Sequence, residues 1–167
     1  MSVENFSECI ELDELYWFIE SKPRSETREN IYIVTAVSRE PRQIVGIDTA
    51  FDKSPARIQS IVDSAPPAKR YYTDGYLGYI DVVYPGKHIR NICDKSNTFT
   101  VEGVNADLRH YIPLLARRSR CFARKLETLQ AVVEVFAQAY NQFGAAKYKY
   151  RQTRQTGEIP FALVDFL

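Results

Sequence analysis

Three acids in this chain occupy positions where a carboxylate has chemistry available to it. Asp13 lies inside Cys9-Ile-Glu-Leu-Asp-Glu-Leu-Tyr-Trp-Phe-Ile19, the most apolar strand-like run of the sequence. An ionised carboxylate there costs several kcal/mol unless it is paired, hydrogen-bonded or bound to a metal ion. The other reading is an Asp that points outward from a half-exposed strand. Asp74 follows Tyr71-Tyr-Thr73 at a strand's carboxyl end, where open α/β sheets usually hold ligands. Asp74-Gly75 is equally a common turn dipeptide. Glu102 opens a helix in which Val101, Val104, Leu108, Ile112 and Leu115 share one stripe at about 100° per residue. Glu102, Asn105 and Arg109 fall on a neighbouring face, so a carboxylate, an amide and a guanidinium line up beside the buried side. The helix dipole alone would also favour a first-turn Glu, with Asn105 and Arg109 solvated.

These acids need elements to hold them. The Cys9–Ile19 strand is followed by a polar loop at 21–30 containing Pro23, then by strands over Ile31–Val37 and Gln43–Thr49 joined closely enough for a hairpin. Ser54-Pro55 starts a helix carrying Ile58, Ile61 and Val62, and Pro66-Pro67 ends it. Arg70–Thr73 reads as a short strand, Tyr76–Val83 as helical, and His88–Ile92 as a last short strand. Helices follow over roughly 101–116 and 124–142. Three antiparallel strands, then strand–helix alternation, then terminal helices describe an α/β domain with a mixed sheet, the order found in ribonuclease-H-like domains. In the last helix Leu126, Leu129, Val133, Phe136 and Tyr140 form a stripe that can pack internally or pair with a second subunit.

Four segments carry a family resemblance: Leu12-Asp-Glu-Leu-Tyr-Trp-Phe18, Tyr71-Tyr-Thr-Asp-Gly-Tyr76, Glu102-Gly-Val-Asn-Ala-Asp-Leu-Arg109 and Ala116-Arg-Arg-Ser-Arg-Cys-Phe-Ala-Arg124. In this order and spacing, over roughly 11–140, the chain resembles the DDE transposases of the insertion sequence 1 family. The resemblance implies a ribonuclease-H-like catalytic domain over 1–144 and a basic tail over 145–167. It implies that Asp13, Asp74 and Glu102 are catalytic and bind two Mg²⁺ or Mn²⁺ ions. Clustered carboxylates repel one another unless cations neutralise them, and two ions roughly 3.5–4 Å apart can serve an in-line displacement at phosphorus. Arg109 would then hold a phosphate, and Asn105 would position the DNA or Glu102. The implied partners are element-end and target DNA, a second copy in a homodimer, and a DNA-recognition module fused from an upstream reading frame. Only twelve residues precede Asp13, which leaves no room for such a module here.

Composition bounds these expectations. The 167 residues, 45% of them hydrophobic, suit one compact domain. Cys9, Cys93 and Cys121 are scattered and odd in number, and His88 and His110 lack ligand spacing, so neither a disulfide framework nor a zinc finger is indicated. The acidic start is unlike a signal peptide, and no stretch approaches 18 apolar residues, so the expectation is a cytoplasmic protein without membrane contact; that it is prokaryotic and nucleoid-associated is what the resemblance implies. Net charge is only +1, yet residues 1–20 hold six acids and no Lys or Arg, whereas 109–154 hold ten bases against Glu127 and Glu134. Within that stretch Arg117, Arg118, Arg120, Arg124 and Lys125 crowd a helix junction and can follow a phosphate backbone, or can be an ordinary solvated face. Lys147-Tyr-Lys-Tyr-Arg151 can interleave rings and charges along DNA or form a frayed tail. Two further readings stay open: another ribonuclease-H-like nuclease or integrase, and a non-catalytic DNA-binding regulator fragment of the transposase.

Overall fold

Ser7–Glu20, the longest strand (β1), lies at the centre of a five-stranded sheet. The sheet belongs to a computed structural model that describes residues 7–20, 28–40, 42–92, 97–116 and 123–143. β1 is apolar on both faces because both are covered. Ile10 and Leu12 enter one core cluster, while Leu15, Trp17 and Ile19 enter another on the opposite side. Arg28–Ser38 (β2) pairs antiparallel with β1, and Gln43–Ala50 (β3) pairs antiparallel with β2. The tight β2–β3 connection places Arg42 at a φ of 64°, and a register shift at Ala36/Val37 bends the ladder.

Pro55–Ser64 forms α1, which buries Ile58, Ile61 and Val62. Pro66 and Pro67 follow it, and the chain then enters Ala68–Thr73 (β4), parallel to β1. Lys87–Arg90 (β5) runs parallel to β4, giving the strand order β3-β2-β1-β4-β5. Phe99–Tyr111 (α2) and Leu126–Phe143 (α3) complete the elements among the described residues. The result is an α/β domain on a mixed sheet. All five residues of the α2 stripe are buried, Val101, Val104, Leu108, Ile112 and Leu115, although the helix itself stops at Tyr111. Pro113 cannot donate to a continuing helix, so the last part of the expected segment becomes a 3-10 turn over Pro113–Leu115.

One expected element is absent. The segment Tyr76–Val83 contains only a 3-10 turn at Leu77–Tyr79. Two contacts explain this. Gly78 lies so close to the Tyr76 ring that a Cβ there would be 2.4 Å from it. Further on, the Gln59 side chain of α1 takes both main-chain groups of Val83, accepting from its N–H at 2.7 Å and donating to its carbonyl at 3.0 Å. The segment's hydrogen bonds are thus satisfied by α1 rather than by a helix of its own.

Of the two uses open to the α3 stripe, the fold takes the internal one. Leu129 and Val133 are fully buried, and Leu126, Phe136 and Tyr140 pack partly buried on the same core. α3 also lies along the exposed edge of β3. The Asn141 amide accepts from the Ile44 N–H and donates to the Ile44 carbonyl, both at 2.7 Å. At the other end Gln130 Oε1 accepts from the Thr49 N–H and hydroxyl, again at 2.7 Å. Side-chain amides therefore close main-chain sites that an edge strand would otherwise offer to another chain. Among the described residues no helix is long and apolar enough to cross a membrane.

Candidate metal centre

The β1–β4 ladder ends at Glu11↔Tyr72. Beyond it β4 stops at Thr73, and Asp74 follows beside a flank of β1 that β4 no longer covers. Here Asp13, Glu14 and Asp74 each present a carboxylate oxygen, all within 4.8 Å of one another. Asp13 and Glu14 are adjacent on a strand, so they start from opposite faces and come together around its uncovered flank. Asp74 Oδ1 accepts the Tyr76 N–H at 2.9 Å, so the same residue forms the turn and faces the cluster.

Asp13 is the most constrained member. Burial raises its carboxyl above the usual range; the Asn105 amide and the Glu14 backbone N–H work against this, and the charges of Asp74 and Glu102 add to it. The Asn105 Nδ2 donates to Asp13 Oδ2 at 3.0 Å, and Asn105 is only 4% exposed. Its Nδ2 thus holds Asp13, a contact the sequence did not indicate. Glu102 lies one turn before Asn105, on the same helix and close enough for its charge to bear on Asp13. Its Oε1 also accepts the Thr98 hydroxyl at 3.3 Å. Arg109, partly buried, lies four residues beyond Asn105.

Glu14 was not singled out in the sequence, because strand alternation turns it away from Asp13. Its burial raises the carboxyl, the Lys53 ammonium pulls it down, and Asp74 raises it. Lys53 Nζ stands 3.3 Å from Glu14 Oε1 and 3.7 Å from the centre of the Tyr76 ring. Among the described residues, Lys53 is thus a resident cation of the cluster.

Glu11, also missed, is a fully buried acid two residues before Asp13. Its Oε2 accepts the backbone N–H groups of Thr100 and Val101 at 2.8 and 2.9 Å, at the start of α2. Its Oε1 accepts Arg39 Nε at 2.6 Å. A carboxylate there satisfies helix N–H groups that have no partner within the helix and meets the favourable end of the dipole. The signal was the apolar setting of Glu11, which is the same as that of Asp13.

The basic residues divide. Arg124 and Lys125 are exposed immediately before α3, whereas Arg117, Arg118 and Arg120 lie outside the described residues, as does the tail 145–167. His88 bonds through Nε2 with the Thr73 hydroxyl at 2.9 Å and stacks on Tyr84 at 4.2 Å. Burial first, then Arg90, lowers its pKa. A lowered folded pKa means stability that is complete above the unfolded value of 6.5 and is lost as pH falls through the folded one. His88→Gln should flatten that part of the stability–pH curve in denaturant melts between pH 7 and 5; an unchanged slope would count against it.

No protein-family model matches this chain, and no curated protein matches it.

Proposed function

We propose that this chain is the catalytic domain of a DNA transposase with a ribonuclease-H-like fold, which cleaves element ends and joins them to target DNA. The observation that carries the reading is the meeting of Asp13 and Asp74 at the end of β4, with Glu102's charge bearing on Asp13 from α2. A β3-β2-β1-β4-β5 sheet, in which β1, β2 and β3 pair antiparallel in succession and β4 and β5 run parallel to β1, supports the fold. The donor set suits Mg²⁺ or Mn²⁺: carboxylate oxygens are hard ligands, and burial and mutual repulsion leave them in need of positive charge. Asp13, Asp74 and Glu102 would hold two such ions, which supply Lewis acidity to the attacking and leaving oxygens of an in-line displacement.

The chain's own residues prepare that displacement. Asn105 fixes one Asp13 oxygen, leaving the other for the cluster. Arg109, farther along α2, would hold a phosphate oxygen of the DNA. In the first step water attacks phosphorus and the element's 3′-oxygen leaves; in the second that 3′-hydroxyl attacks a target phosphate and a target 3′-oxygen leaves. Both are the same exchange of one P–O bond for another, so one site serves both. Two element ends must be held together, which calls for a dimer, and end recognition calls for an upstream-frame module fused to this domain.

The direct test is Mg²⁺-dependent nicking and joining of element-end duplexes by the fused protein. An absence of strand cleavage with every divalent cation would end the proposal. DNA contact has its own measure. If Arg124 and Lys125 neutralise one phosphate each, Arg124→Ala with Lys125→Ala should lower the log–log salt slope of duplex binding by about 1.8, at about 0.9 per contact. An unchanged slope would make them solvated charges.

A further inference from the structure

We infer that Glu11 is a positioning residue for the acidic site, setting where Glu102 stands relative to Asp13; the inference rests on the metal-centre reading. Glu11 and Asp13 leave the same face of β1, and each grips α2. Glu11 holds the N–H groups of Thr100 and Val101, and Asp13 is held by Asn105. Residues 11 and 13 lie roughly 6.8 Å apart along a strand, and residues 100 and 105 lie roughly 7.5 Å apart along a helix. The two grips match in spacing, and Glu102 lies between them. The helix cannot slide or turn along β1 without breaking one of them.

Arg39 extends this hold to the third acid. Besides bonding Glu11, its guanidinium donates to the Asn97 carbonyl at 3.0 Å. It lies 4.9 Å from the centre of the Tyr72 ring and 5.0 Å from that of Phe99. Tyr72 is two residues before Asp74, and Phe99 is the first residue of α2. The Glu11–Arg39 pair thus touches all three elements that place the acids: β1, which carries Asp13; β4, which Asp74 directly follows; and α2, which carries Glu102. Glu11 is fully buried and its oxygens are taken by Arg39 and the helix, so it acts through placement rather than as a ligand.

The experiment is a double-mutant cycle on the full chain, read by Mn²⁺ binding from the paramagnetic resonance signal of the free ion. Glu11→Gln sets an amide N–H₂ or a weaker acceptor against Arg39 and the helix, and should weaken Mn²⁺ binding about 10- to 100-fold, the range for residues that orient ligands. In a Glu102→Gln background the same change should have no further effect, because the ligand it places is gone. Arg39→Gln leaves the helix contact of Glu11 intact and should give a smaller loss with the same dependence on Glu102, which keeps the test usable if Glu11→Gln does not fold. A folded Glu11→Gln with full affinity, or losses that add across the cycle, overturns the positioning role while leaving the metal centre standing. No Mn²⁺ binding by the unaltered chain at millimolar concentration overturns the metal centre itself and the inference with it.

Discussion

Asp13→Asn and Asp74→Asn should each lower Mg²⁺-dependent cleavage and joining by roughly 10³-fold or more while leaving the metal-free fold at least as stable. A neutral amide is a poorer ligand for a hard cation, and metal-supplied charge stabilisation is worth several kcal/mol at about 1.36 kcal/mol per tenfold. The stability half follows from the environment of Asp13. Burial, with the charges of Asp74 and Glu102, raises its carboxyl in the folded state. Stability is therefore fullest below the unfolded value of 3.8 and falls as pH rises through the folded value and the carboxyl ionises. Asparagine carries no such charge and can still accept the Asn105 bond, so at neutral pH the variant should melt no lower than the parent. The measurements are strand transfer by the fused protein and metal-free thermal melts of each variant. Activity retained in either variant would refute the two-metal assignment, and a large drop in melting temperature would make that Asp structural.

Leu108→Ala should do the reverse. Leu108 is fully buried in the cluster of Leu15, Trp17 and Ile33, where α2 meets the sheet. Truncating such a residue costs about 2–5 kcal/mol, and at about 2–4 °C per kcal/mol for a domain of this size the melting temperature should fall by roughly 4–20 °C. The grips of Glu11 and Asp13 on α2 lie outside the deleted side chain. At a temperature where the variant is fully folded, cleavage per molecule should stay within a few-fold of the parent. An unshifted melt would show that α2 is not anchored there, and lost activity in folded protein would tie Leu108 to the site itself. Together the two experiments separate the residues that hold the helix from those that use it.

Periodicity carried far in this chain where packing followed it. The α2 stripe spaced at Val101, Val104, Leu108, Ile112 and Leu115 is buried along its whole length, even past the end of the helix, because the chain continues along the same core. The strand pairing was legible from apolar runs and from the short β2–β3 connection. Tyr76–Val83 was not, since its hydrogen bonds are decided by Gln59, a residue local propensity does not see. Within the site, Asp13 and Asp74 could be picked out by their settings. Glu11 and Glu14 were absorbed into an acidic N-terminal charge count. Their partners, Arg39 and Lys53, are 28 and 39 residues away in sequence and are brought close only by the sheet. The helical wheel put Asn105 beside the buried stripe with Glu102 and Arg109, but a wheel shows a face and not its partner, so the bond to Asp13 was not legible.

The α3 amides that close the β3 edge have a consequence for biosynthesis. Gln130 follows Thr49 by 81 residues and Asn141 follows Ile44 by 97. At about 5–20 residues per second, β3 leaves the ribosome roughly 4–20 s before the side chains that cover it. During that interval the nascent sheet presents a bare edge, and neighbouring ribosomes on one message hold identical edges close together. Sparse ribosome loading, or a chaperone that shields the edge, should therefore raise the yield of soluble chain.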